Sequence, residues 1–335
     1  MHVVLLYNQV AITDSAGDLD VLKQVVTVEQ ALRSLGHSTG RVPCSLDLEK
    51  ARRLLHNSQP DVVFNLVESL GGTDRLMPLA VVLLESLSIP FTGASSLAML
   101  TTTGKLEAKK RMIAADLPTP AWITENDSAW QGTRRGHETP DTAIVKAVAE
   151  HSSLGMTDES VFSCRELNPH EVVERIVSRS RSLNTPHFAE EYINGREFNL
   201  SILADEDGPV VLPSAEIDFG GFPDDKPRIV GHDAKWNEHT LEYQNTPRRF
   251  EFPPSDQALL DELQALARSC WTTFGLRGYA RVDFRVNSDG QPWILEVNAN
   301  PCLSSDAGFA AAVDREGLAF EDVVSRILTD ANGLR

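Results

Sequence analysis

Two kinds of apolar pattern take turns along this chain. "HVVLLY" at the start and "DVVFNLV" from residue 61 are unbroken apolar runs, the signature of strands covered on both faces. Between them "LDVLKQVVTVEQALRSLGH" repeats at helical spacing and stops at Gly36, a residue suited to a helix C-terminus. Strand and helix in alternation predict an α/β architecture. Residues 1–95 read as one parallel-sheet domain whose ligand edge lies at the carboxyl ends of its strands. Gly71-Gly72 follows such an end, and a plain turn accounts for it.

A helix over about 103–115 leads to "DLPTPAW", whose prolines mark a boundary. The polar stretch 124–142 is expected to be a loop or edge excursion. "TAIVKAVA" is a strand, "EHSSLGM" a small-residue turn, and 169–182 a helix, so that 96–185 forms a second unit. The third unit, 186–335, opens with "HFAEEYINGREFNLSIL". Its Asn194-Gly195 pair predicts a hairpin placing Glu190, Tyr192, Glu197 and Asn199 on one face. The helix "SDQALLDELQALARSCWTTF", the segment "VDFRVNSDGQPWILEVNANP" and a helix near 320–330 complete it. The chain has no internal repeat and no low-complexity tail.

"VDFRVNSDGQPWILEVNANP" sets a problem. Asp289-Gly290 suits a two-residue type I′ loop, which makes Ser288 face Gln291 and, counting outward, Asp283 face Glu296 and Arg281 face Asn298. Like charges directly opposed on paired strands destabilise them. A hard cation between the carboxylates would reverse that sign, and carboxylate with amide oxygen is a Mg²⁺ ligand set. A solvated polar face relieved by Arg281 explains the same residues.

Charge and cysteines narrow the choice. The chain has 31 basic and 48 acidic residues, a net charge of −17, which argues against a general binder of nucleic acid or anionic membrane. No run approaches the roughly 18 apolar residues needed to span a bilayer, and the start has neither the charged n-region nor the cleavage site of a signal peptide, so a cytoplasmic location is expected. Cys44, Cys164, Cys270 and Cys302 show no C-x-x-C spacing, so neither a disulfide framework nor a zinc site is indicated. Cys302 lies in a motif-like stretch without a base among its sequence neighbours, and a structural thiol is the simpler reading.

Lys146 ends an apolar run just before "EHSSLGM", a turn whose backbone N–H groups could wrap phosphate oxygens, although it lacks the Walker A spacing and a surface lysine explains it equally. Taken in order, however, Lys105, Lys146 with its Ser-Gly loop, "EEYINGREF", Lys235 and "RVDFRVNSDGQPWILEVNANP" resemble the ATP-grasp superfamily, in its D-alanine–D-alanine ligase-like branch. The resemblance runs from "DVVFNLVESLGGTDRLMPLAVVLLESLSIPFTGAS" to the final helix. It implies an N-terminal pre-ATP-grasp α/β domain and two α+β subdomains that sandwich ATP.

Carried over by position, the resemblance implies that Asp283, Glu296 and Asn298 hold two Mg²⁺ ions, with Mn²⁺ as the alternative metal. Lys105 and Lys146 would contact the α- and β-phosphates, and Ser152, Ser153 and Gly155 would cover the phosphates. Glu190 and Ile193 would bond the adenine edge mainly through backbone, and Glu197 the ribose. Lys235, in the long loop 223–250, would reach the γ-phosphate. The implied activity is carboxylate–amine ligation through an acyl phosphate, with Arg281 and a backbone N–H near Cys302 stabilising the tetrahedral oxyanion. The expected partners are small-molecule acids and amines, and a homodimer fits the resemblance.

Departures gather at the substrate end. Members that join D-alanine carry a glycine where Cys302 stands, a serine near Ala307, a histidine at Glu68, a lid tyrosine at Trp236, and a glutamate after the first strand, where this chain offers Asp14, Asp18 and Asp20. Glu68, Asp18, Trp236 and Cys302 are therefore candidate substrate residues, and an acid or amine other than D-alanine is expected. Glu68 as a local backbone cap is the competing explanation. D-alanine–D-alanine ligase proper, a nucleotide-binding pseudoenzyme and an ATP-grasp phosphotransferase remain alternatives.

Overall fold

A computed structural model describes residues 1–11, 16–132, 139–150, 153 and 155–333, with the side chains of Ala16, Asp18 and Asn332 outside the description. Asp14, Ser152 and the side chain of Asp18, all named above, therefore lie outside the described residues. Strands β1 (His2–Asn8), β2 (Ser38–Cys44) and β3 (Val62–Leu66) form a parallel sheet in the order β2-β1-β3. Val3 and Leu5 pack with Val25 and Val28 of the helix Ala16–Ser34 and with Val323 of the helix Phe320–Asn332. Val4 and Leu6 pack on the other face with Leu55 and Val81. Cover on both faces is why the run is apolar without alternation.

The second sheet comprises β4 (Trp122–Ile123), β5 (Thr142–Ala147), β6 (Val161–Ser163) and β7 (His187–Glu191), antiparallel in the order β4-β7-β5-β6. The helix Pro169–Leu183 packs Val172 and Ile176 into its separate core. Asn168 and Glu171 cap that helix reciprocally. The third sheet holds β8 (Arg196–Leu203), β9 (Val210–Val211), β10 (Ala215–Ile217), β11 (Arg248–Arg249), β12 (Tyr279–Val286) and β13 (Pro292–Asn298). Its path is β11-β10-β8-β12-β13, with β9 beside β8. Phe198, Leu200, Val282 and Ile294 of this sheet share one continuous core with Val81 and Leu84 of the first unit. No described helix is long and apolar enough to cross a membrane.

Three sequence expectations need correction. The Asn194-Gly195 hairpin does not form: β7 and β8 belong to different sheets, and the chain crosses from one to the other between them. Gly195 is required instead because a Cβ there would meet the Val286 carbonyl oxygen at 1.9 Å. Glu190 consequently does not share a face with Glu197 and Asn199.

The loop of the last hairpin is also longer than the Asp-Gly pair suggests. Asn287 N–H donates to the Gln291 carbonyl, and only Gly290 has positive φ (78°), so residues 288–290 form a three-residue connection rather than a type I′ turn. A β-bulge at Leu295 then shifts the register back, leaving Asp283 opposite Glu296 and Arg281 opposite Asn298 as the sequence predicts. Finally, the helix expected over 103–115 is two helices, Ser96–Thr103 and Lys105–Ala114, with extended Gly104 between them.

Candidate functional site

Bulge and register together put the two hairpin carboxylates on one face, and each has a cationic neighbour. Arg281 grips Asp283 through Nε and Nη at 2.8 Å each, and the Asn199 amide donates to the same carboxylate at 2.8 Å. Glu296 faces Lys105 Nζ at 3.6 Å. The expected mutual repulsion is thus relieved before any metal binds. Asn298 Oδ1 accepts the Asn300 N–H at 2.9 Å, which fixes the amide and leaves its oxygen a second lone pair. Among the described residues no group of three His, Cys, Asp or Glu side chains forms a metal cluster. Two carboxylates and an amide oxygen are all hard donors, a set that fits Mg²⁺ when phosphate oxygens supply the remaining positions.

Most of the cationic side of the cleft comes from residues 96–185, and Lys235 adds to it from the same stretch of chain as the hairpin. Lys105, first residue of its helix, sends Nζ to the Glu150 carbonyl at 2.6 Å. Burial pushes the Lys235 ammonium below the usual lysine range and Arg281 adds to this, against the pull of Glu296 and Asp283. Lys146 Nζ sits 2.5 Å from Glu190 Oε1, and Lys109 Nζ lies 2.6 Å from Oε2 of the same carboxylate. Lys109 and Glu190 are each 1% exposed. Burial raises the Glu190 carboxyl, but the two ammonium groups outweigh it and hold it below the carboxylate range. Lys109 also donates to Thr119 Oγ1 at 2.9 Å and to the Pro120 carbonyl at 3.0 Å.

Lys109 is missing from the sequence reading, as are Arg248 and Arg285. Four residues after Lys105, Lys109 looks like another turn of an exposed helix, and only the tertiary contact shows otherwise. Arg285 pairs with Glu197 at 3.0 Å and donates to the Gly195 carbonyl, so the expected ribose ligand already holds one guanidinium. Alternation along β12 could have flagged Arg285, which lies two residues beyond Asp283 and four beyond Arg281.

Two segments meet over the cleft. Ser153 (φ 59°) donates to the Val230 carbonyl at 3.0 Å, the His232 N–H to the Met156 carbonyl at 3.3 Å, and Lys226 bridges Asp158 at 2.5 Å and Glu242 at 2.8 Å. Gly155 has φ 64°, and its carbonyl takes an Arg179 guanidinium. Within 223–250, read from sequence as a loop, short helices His232–Trp236 and Leu241–Gln244 occur. Trp236 lies over Gly17, where a Cβ would come within 3.2 Å of the indole.

At the substrate end Cys302 Sγ is 3.2 Å from Asp20 Oδ2 and 2.7 Å from Ser304 Oγ. Burial and the charges of Glu68 and Asp20 push this thiol well above the usual range, consistent with a structural group. Burial also raises the Glu68 carboxyl to about 7, opposed by Gln24 and assisted by Asp20 and Asp74. Among the described residues no backbone N–H is bonded to that carboxylate, so the capping explanation finds no support. Ile193 is buried where the chain crosses between the sheets.

Comparison with known proteins agrees with this geometry. Residues 112–329 match the family described as "D-ala D-ala ligase C-terminus". A D-alanine–D-alanine ligase of Moorella thermoacetica is 30% identical over 319 residues, covering 92% of this chain and 93% of that protein. One from Carboxydothermus hydrogenoformans is 32% identical over 252 residues, 73% of this chain and 74% of that one. Among solved structures, the D-alanine–D-alanine ligase of Bacillus anthracis complexed with ATP aligns with a TM-score of 0.72 at 19% identity, over 100% of this chain and 98% of that one, a likeness of fold. The chain belongs to the D-alanine–D-alanine ligase family of ATP-grasp enzymes, ATP-dependent ligases that join a carboxylate to an amine.

Proposed function

We propose that this ligase joins an amino acid or small peptide to an amine through an acyl phosphate, with two metal ions held by Asp283, Glu296 and Asn298. The observation that carries the reading is the placement of these three residues on paired strands β12 and β13, ringed by Lys105, Lys235 and Arg281. Metal bound there would neutralise phosphate charge and polarise the group in transfer. The substrate carboxylate attacks the γ-phosphorus of ATP and ADP leaves. The amine nitrogen then bonds to the acyl carbon, phosphate departs with the C–O electron pair, and one proton is released.

In this reading Lys235 reaches the γ-phosphate from the lid, and Lys105 and Lys146 take the α- and β-phosphates. Ser153 and Gly155 lie in the covering turn, to which Ser152 also belongs by sequence. Backbone groups of Glu190 and Ile193 meet the adenine, and Glu197 meets the ribose. Arg281, fixed by Asp283, presents positive charge to the oxyanion of the second step. The chain acts in the cytoplasm, and Mn²⁺ replaces Mg²⁺ in the same ligand set.

Formation of D-alanyl-D-alanine is the second reading, favoured by the names of the curated relatives. Glu68 and Cys302 weigh against it, since a site built around different polar groups discriminates strongly. ADP release measured over a panel of D- and L-amino acids, with mass spectrometry of the products, separates them. An amide product other than D-alanyl-D-alanine supports the main reading, and D-alanyl-D-alanine alone supports the second. ADP release without an amide would overturn both in favour of phosphotransfer.

A further inference from the structure

We propose that Arg248 is a specificity-determining residue that takes the carboxylate of the amine-donating substrate, so that the nucleophile is an amino acid or peptide and not a simple amine; this rests on the ligase reading above. The two arginines of β11 alternate across the sheet. Arg249, opposite Glu216, is bound to that carboxylate at 2.9 and 2.7 Å. Arg248 points the other way, is exposed, and makes no ion pair or hydrogen bond with the described residues. The charged and titratable groups that act on it most strongly are Arg281, Tyr243, Asp283 and Asp306.

Both acids in that set are already committed. Asp283 holds Arg281 and Asn199, each contact at 2.8 Å, and Asp306 holds Lys23 at 3.2 Å. Neither acid is bonded to Arg248, and the Arg281 guanidinium acts on it as a like charge. The Arg248 group also lies against Gly308: a Cβ there would come within 3.1 Å of Nε and 3.5 Å of Cζ and Nη. Glycine thus leaves the guanidinium its seat. Gly308 opens a nine-residue helix whose preceding residue, Ala307, gives no side-chain cap, so the positive end of that helix faces the same space.

The like charge of Arg281 disfavours the Arg248 cation, modestly because the side chain meets solvent, and an anion between the two reverses that sign. A guanidinium offers two parallel donors that match a planar carboxylate. The acid being activated is converted to the acyl phosphate, so the carboxylate still available for recognition in the second step is that of the amine. Held by Arg248, it would anchor the nucleophile beside Arg281, which faces the developing oxyanion in the proposed reaction.

The test uses Arg248→Gln and Arg248→Lys in the full chain. With the best amine from the panel, R248Q should raise its KM by about ten- to hundredfold, the scale of losing a charge-assisted pair of hydrogen bonds, and leave the KM for ATP unchanged. R248K should recover part of the loss, and replacing the amine's carboxylate by an amide should erase the difference between parent and variant. A shift in the KM for ATP alone, or no shift for the amine, would overturn the assignment. A readout independent of turnover is phenylglyoxal labelling of Arg248 with Mg-ADP present, followed by peptide mass mapping. A pool of small D- and L-amino acids should slow the labelling and their amides should not. Equal rates would overturn the proposal even if ligase activity is confirmed, and protection without amide formation would retain it while the ligase reading fails.

Discussion

The two ends of the cleft, proposed above to take nucleotide and substrate, handle charge in opposite ways. At the nucleotide end every principal acid has a cation in contact before any ligand arrives: Asp283 with Arg281, Glu296 with Lys105, Glu197 with Arg285, and Glu190 with Lys109 and Lys146. At the substrate end Glu68 lies near two further acids, and Arg248 lies near another guanidinium. Matched charges preorganise a site for a ligand that brings its own metal and its own charge. Unmatched charges select a ligand of opposite charge. In the proposed reading, the matched acids serve the nucleotide and metal, and Glu68 and Arg248 serve the substrates.

The most damaging break is in the buried lysine pair. Lys109→Met leaves Glu190 one ammonium short inside the core, and losing one partner of a buried pair costs about 3–5 kcal/mol. Denaturant unfolding should show this in the midpoint, with Lys146→Met losing less because Lys146 is closer to solvent. Equal, small losses for both would show that Glu190 is not held as a bridging carboxylate.

Next in size is the hairpin. Glu296→Gln should lower ADP release by about a hundredfold or more, the scale of a lost electrostatic contact in the transition state, while the melting temperature stays close to the parent's. Turnover equal to the parent's would remove Glu296 from the metal set.

The register behind that prediction is only partly legible in the sequence. Alternating residues and an Asp-Gly turn signal correctly announce a hairpin, but a period of two cannot reveal a bulge. The loop is one residue longer than expected and the bulge at Leu295 compensates, so the pairing at Asp283 is right while the pairing near the turn is not. Asn194-Gly195 shows the converse: the strongest short hairpin signal marks a close approach to the Val286 carbonyl. Lys109 and Arg248 were illegible because their meaning lies in partners 81 residues away at Glu190 and 33 residues away at Arg281. The parallel sheet, by contrast, follows directly from runs such as Val3–Leu6, buried from both sides.

A smaller effect sharpens the substrate end. The Glu68 carboxyl titrates near 7 in the folded protein against an ordinary value of 4.5, so the folded state binds its proton more tightly than the unfolded chain does. Stability should then fall as pH rises from about 4.5 to 7 and level off above, by roughly 1–2 kcal/mol once partial exposure is allowed for. Glu68→Gln has no such proton to lose, so parent and variant should converge below about pH 4.5 and the variant should be the more stable at pH 8. A difference independent of pH would contradict the raised value.

The smallest effect concerns the contact between 223–250 and 153–158. Lys226→Ala removes the bridge to Asp158 and Glu242, a partly exposed pair contributing about 1 kcal/mol or less. Limited proteolysis within 223–250 should quicken a few-fold in the variant, and Mg-ATP should slow it in the parent. No protection by nucleotide would contradict the lid role of Lys235.

The most direct test of the central claim, that the matched charges of the hairpin are a seat for metal and nucleotide, is calorimetric titration of ATP into the parent and into Glu296→Gln, each with Mg²⁺ and with a chelator. The account predicts that Mg²⁺ tightens ATP binding to the parent by about tenfold or more, the scale of one well-placed charge interaction, and that most of this gain disappears in the variant. The same Mg²⁺ dependence in both proteins would contradict it.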